Sequence, residues 1–113
     1  MPFAGSDDTG TIPPDAATGK CEDGVAKALG KYIPAVITCR VKSADSGVKG
    51  IPLDDDSCES NPDTRKGARE KYDAAIAKLA TTCTGCAIGN AGAPRDAAES
   101  FVDANNGEVY CAP

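Results

Sequence analysis

Histidine and tryptophan are absent from the 113 residues, and the aromatics amount to two Phe and three Tyr. Without an imidazole the chain lacks the usual general base at neutral pH and the commonest zinc ligand. Hydrolytic triads, zinc-peptidase sites and covalent haem attachment are therefore not expected. No nucleophile and base pair presents itself, so the expectation is a protein that is not an enzyme and takes no cofactor. So few aromatics build neither a sugar platform nor a stack for nucleobases. No apolar run reaches the length of a membrane span. Basic residues are short too: 12 Lys and Arg stand against 17 Asp and Glu, and a net charge of -5 opposes binding to nucleic acid or to anionic membranes. Large apolar groups are the last scarcity. Once 19 Ala and 6 Cys are set aside, 21 larger aliphatic or aromatic side chains remain to make a core.

What the sequence does have is cysteine. Six Cys in a chain of this size, an even number and with no His to complete a mixed metal site, are the arithmetic of a disulfide framework. The expected location is an oxidising one, extracellular or at the cell surface. Residues 1–19 lack the basic start and apolar stretch of a secretory leader, as expected for a chain whose leader has been removed.

Those same residues hold three Pro, three Gly and three Asp, with only Phe3 and Ile12 as sizeable apolar groups, and are expected to form an extended N-terminal arm. Residues 20–113 then make a disulfide-bonded helical domain. From Lys20 to Lys42, Cys21, Val25, Leu29, Tyr32, Val36 and Cys39 recur at helical spacing on one face. Gly24, Gly30 and Pro34 weaken that helix and invite a kink near Gly30. Residues 43–60 read as a loop. A second helix is expected to open at Asn61 as N-cap with Pro62 at its first position, and to carry Ala68, Tyr72, Ile76, Leu79 and Cys83 on one face. A third, shorter helix is expected from Pro94 through Phe101 and Val102 until Asn105, Asn106 and Gly107 break it, leaving Glu108 to Cys111 extended. The fold class is all-α, a disulfide-stapled antiparallel helical hairpin with a short third helix and extended termini, and Tyr32 packs on Tyr72 inside the hairpin.

An antiparallel hairpin pairs the helix ends, so the favoured connectivity among the 15 possible is Cys21 with Cys83, Cys39 with Cys58 and, by exclusion, Cys86 with Cys111. Cys83-Thr84-Gly85-Cys86 has the spacing of dithiol oxidoreductases. It falls, however, where a helix is expected to end, and the dipole there would raise a thiol pKa rather than lower it. The acidic group Asp54, Asp55, Asp56 and Glu59 lacks the Gly and the closing Glu of a helix-loop-helix calcium loop, and helix-start charge is the preferred reading over a metal site. Asp103, Asn105 and Glu108 make a second, smaller oxygen group.

Lys20-Cys21, Ala26-Lys27, Lys31-Tyr32 and Cys39, followed by Cys58 and a second Ala/Lys helix ending at Cys83, resemble cysteine-stapled helical modules of secreted bacterial proteins of unknown function. The resemblance covers residues 20–83 and implies a disulfide-bonded hairpin, with no activity attached. Plant lipid-transfer proteins differ in having adjacent cysteines, and elicitins in having a richer apolar lining.

A thin core with isolated apolar groups at both ends, Phe3 and Ile12 at one and Val109 and Tyr110 at the other, points to a non-enzymatic extracellular structural subunit. It is expected to associate with itself through the arm, and heterologous contacts would build an open filament. The alternative is a monomeric secreted carrier or binding module for a small apolar ligand, enclosed by Val25, Leu29, Tyr72, Ile76 and Leu79. That alternative needs a hollow of at least about 300 Å³.

Overall fold

A computed structural model describes residues 1–112. Five helices follow one another: α1 (Ala16–Val48), α2 (Asp55–Glu59), α3 (Ala68–Ala80), α4 (Cys86–Gly89) and α5 (Gly92–Val109). No strand occurs among the described residues, and the class is all-α as expected. α1 and α3 form the antiparallel hairpin. Cys21 is bonded to Cys83 at one end, Gly24 lies against Leu79, and Tyr32 meets Tyr72 further along. Gly24 has a packing reason: a Cβ there would meet Leu79 Cδ2 at 2.7 Å, so its absence lets α3 lie close on α1.

The boundaries depart from expectation at both ends of α1. Asp15 caps the helix, its Oδ1 accepting the Thr18 N–H at 2.7 Å, so helix begins inside the stretch assigned to the arm. It continues through Pro34 and past Lys42 to Val48, consuming the first part of the expected 43–60 loop. The Asp54 run then starts α2, with Asp54 Oδ1 accepting from the Asp56 N–H and Oδ2 from the Ser57 hydroxyl. Its carboxylates sit where the helix dipole favours negative charge.

Asn61 and Pro62 open only a turn. The Arg65 N–H returns to the Asn61 carbonyl at 2.8 Å, and Arg65 then enters the left-handed region at φ 57°, which ends the turn. α3 starts at Ala68, six residues beyond the expected first position Pro62, behind Gly67, where a Cβ would sit 2.6 Å from Asn61 N and 2.8 Å from Ser60 Cα. Glu70 closes this connection by accepting from the Asn61 N–H and the Ser60 hydroxyl. Burial pushes the Glu70 carboxyl up, but these two hydrogen bonds outweigh it and hold the pKa below the usual value.

α5 is longer than expected at both ends. It runs straight through Asn105, Asn106 and Gly107, so Glu108 and Val109 are helical rather than extended. Asn105 satisfies its amide on its own helix, donating to the Phe101 carbonyl at 2.8 Å.

The arm is also corrected. Residues 1–15 fold back on themselves: Pro2 and Thr11 form an isolated antiparallel bridge, the Ile12 N–H donates to the Met1 carbonyl at 2.7 Å, and Gly10 turns the chain at φ 91°. The result is a closed loop at the start of α1.

The buried cluster is small, comprising Ala28, Tyr32, Val36, Ala68 and Tyr72 with Leu29, Ala35, Ala75, Ile76, Ala98 and Val102 packed around it. The Tyr32 and Tyr72 rings lie 5.5 Å apart at 54°. A radius of gyration of 16.7 Å exceeds the roughly 13 Å of a compact domain of this length, which is why so little is buried.

Candidate functional site

α5 buries no residue fully; Ala98 and Val102 pack against the tyrosine cluster, whereas Phe101 and Val109 are exposed. Ile37 and Val41 of α1 and Phe101, Val102, Val109 and Tyr110 of α5 and its cap line an open groove of about 230 Å³. Phe101 is 69% and Val109 73% exposed, whereas Tyr32, eight residues before Arg40 on α1, is 2% exposed.

Arg40 sets the position of the groove. Its guanidinium pairs with Asp55 and Glu59 of α2 and with Asp103 of α5, drawing three helices together beside the groove that Arg40 lines. Glu59 is buried, and burial pushes its carboxyl pKa up against the opposing pull of Arg40. Glu59 Oε1 lies 2.9 Å from Arg40 Nη2 without the alignment of a hydrogen bond, and it and Arg40 Nε have no hydrogen-bond partner among the described residues. This arrangement is an ion-pair cluster that fixes helices, since Arg40 already takes up Asp55 and Asp103. The carboxylates of Asp54, Asp55 and Asp56 approach within 4.8 Å of one another, but Asp54 is spent on the α2 cap and Asp55 on Arg40.

The expected assembly residues fall at opposite ends of the molecule. Val109 and Tyr110 are brought into the groove. Phe3 and Ile12 flank the Pro2–Thr11 bridge at the start of α1, both exposed. Ile37, Val41 and Phe101 were not among the expected contacts. Their signal was present, because Ile37, Val41, Ala44 and Val48 recur at four, three and four residues as a second apolar face of α1.

Of the three expected disulfides two are formed, Cys21–Cys83 and Cys39–Cys58, with Cα separations of 5.8 and 5.7 Å. The third is not. Cys86 and Cys111 are both free and exposed. Cys83 is spent on Cys21, so the Cys83-Thr84-Gly85-Cys86 segment holds no dithiol pair.

The apolar stripe offered for a small ligand is filled: Leu29 and Ile76 pack on the tyrosine cluster, and Tyr72 is 3% exposed. The cleft beside it, floored by Tyr32 and Tyr72 and edged by Lys31 and Lys71, has a volume of about 150 Å³, below what an enclosed ligand site needs. Around this packed region Tyr32 donates to Glu99 Oε2 at 3.3 Å and Tyr72 to the Ala91 carbonyl at 2.8 Å. Burial first, and the Glu99 carboxylate second, push the Tyr32 hydroxyl up to about 12. Arg95 bridges Asp73 of α3 and Asp96 of α5, and its hydrogen bond holds the Asp96 carboxyl below the usual range. No helix among the described residues is long and apolar enough to cross a membrane. Comparison with known protein families, curated proteins and solved structures finds no match to this chain.

Proposed function

We propose that the protein is a non-enzymatic extracellular structural subunit that associates head to tail, the N-terminal loop of one copy seating Phe3 and Ile12 in the α1–α5 groove of the next. The observation that carries this reading is the separation of the two surfaces by α1. Val41 lies 25 residues beyond Ala16, about 38 Å along the helix axis, whereas Ile12 reaches at most about 14 Å from Ala16. The loop is closed by its own bridge, so Phe3 reaches little further. Neither residue meets the groove of its own molecule, and a second copy is the occupant that supplies both apolar groups.

Such a contact is heterologous, and its repetition gives an open filament. Two internal disulfides support an oxidising, extracellular setting.

Light scattering across a concentration series, with negative-stain microscopy, tests the reading. Elongated particles are expected for the wild type, with loss of all species above monomer in both Phe3→Asp/Ile12→Asp and Phe101→Asp. A wild type that stays monomeric at high concentration removes the proposal. Assembly that persists without Phe3 and Ile12 removes the loop as the occupant, and a co-purified apolar small molecule displaced by Phe101→Asp would favour the carrier instead.

A further inference from the structure

The geometry points to a covalent link between copies, a disulfide from Cys86 of one molecule to Cys111 of the next. It rests on the head-to-tail reading and adds to it the bond that makes the contact permanent. Four of the six cysteines are consumed within the chain, and the two left over are both exposed. They stand at opposite ends of the molecule. Cys86 is three residues from Cys83, which is bonded to Cys21 near the start of α1 and therefore near the N-terminal loop. Cys111 follows Tyr110, which lines the groove with Val41.

Cys21 and Val41 are 20 residues apart on one helix, about 30 Å, and all 18 residues of α5 lie between the two thiols in the chain. A disulfide requires Cα atoms within about 7 Å, so this fold does not close the bond within one chain. Docking the loop of one copy in the groove of the next brings the Cys86 end of the first to the Cys111 end of the second. Two independent features, an apolar contact and a pair of unspent thiols, are thus satisfied by one relative placement.

The chemistry balances with a low-molecular-weight disulfide such as oxidised glutathione as oxidant. One protein thiolate attacks it, releasing one glutathione thiol and leaving a mixed disulfide. The thiolate of the neighbouring copy then attacks the protein sulfur of that mixed disulfide and releases the second. The two protein thiols lose two electrons and two protons, which end on two molecules of reduced glutathione.

The test uses the full chain in a glutathione redox buffer, followed by non-reducing electrophoresis and peptide mapping. Wild type should give a ladder that collapses to monomer on reduction, with a Cys86–Cys111 peptide in its bands. Cys86→Ser alone and Cys111→Ser alone should lose every band above monomer. An equimolar mixture of the two should restore a dimer and nothing larger, because each copy then offers one complementary thiol. A dimer from either single variant alone, or a Cys86–Cys111 peptide recovered from monomer, overturns the proposal. The double variant C86S/C111S keeps both internal bridges and reports non-covalent assembly by light scattering. If it polymerises while the wild type gives no ladder, the covalent link is wrong and the self-association stands. If it remains monomeric at every concentration and the wild type gives no ladder, both are wrong.

Discussion

Around Tyr32 and Tyr72 the long helix is covered by α3 and stapled to its end by Cys21–Cys83, and Arg69 and Arg95 tie α3 in turn to α5; around Val41, one face of the same helix lies open beside Phe101 and Val109. Both regions draw on apolar stripes of α1. They differ in what packs against them. α3 carries small residues, Ala68 and Ala75 among them, and approaches closely, whereas α5 brings Phe101 outward and buries nothing fully. The first region is packed and the second is left exposed.

Mutations should separate the two regions. Tyr72→Ala removes a buried ring and its hydrogen bond to Ala91, and should cost about 3 to 5 kcal/mol in denaturant unfolding. A loss below about 1 kcal/mol would show that the tyrosine cluster is not the core. Replacing Cys39 and Cys58 by Ser opens a link spanning 19 residues and should cost about 3 kcal/mol, mostly by freeing the unfolded chain. At the open end, Phe101→Asp should shift monomer stability by no more than about 0.5 kcal/mol while abolishing assembly. Equal losses of folding and assembly would erase the distinction.

The pH predictions are smaller and differ in sign. Glu70 has a lowered folded pKa, so its stabilisation is present above its unfolded value near 4.3 and is lost as pH falls through the folded one. Glu59 is raised, so its contribution is fullest below the unfolded value and declines as pH rises through the folded one. Glu59→Gln should flatten that decline in melts recorded from pH 4 to 7 without moving the acid limb set by Glu70. Tyr32 ionises near 12 rather than near 10, so stability should fall as pH climbs across that interval, and Tyr32→Phe should remove the fall.

Element type and two of the three cysteine pairs were legible because periodicity and chain reversal are local or nearly local properties. Boundaries were not. Asn61 and Pro62 carry a genuine start signal, yet Arg65 and the close approach of Gly67 to Ser60 postpone the helix. Asn105 and Gly107 look like breakers, but the Asn105 amide finds a partner on its own helix. The groove was not legible because Ile37, Val41, Ala44 and Val48 run as a second apolar stripe beside the first on α1, and which of the two α3 covers is decided by packing.

Sequence by itself determined the all-helical class, the thinness of the core and its reliance on sulfur, since composition and a 3.6-residue period decide how much apolar surface each helix has to hide. Only the tertiary structure decided which stripe was covered. Two stripes on one helix compete for few partners, the small residues of α3 admit close contact at one of them, and 33 residues of continuous helix hold the loop and the groove, and with them the two unspent thiols, out of each other's reach.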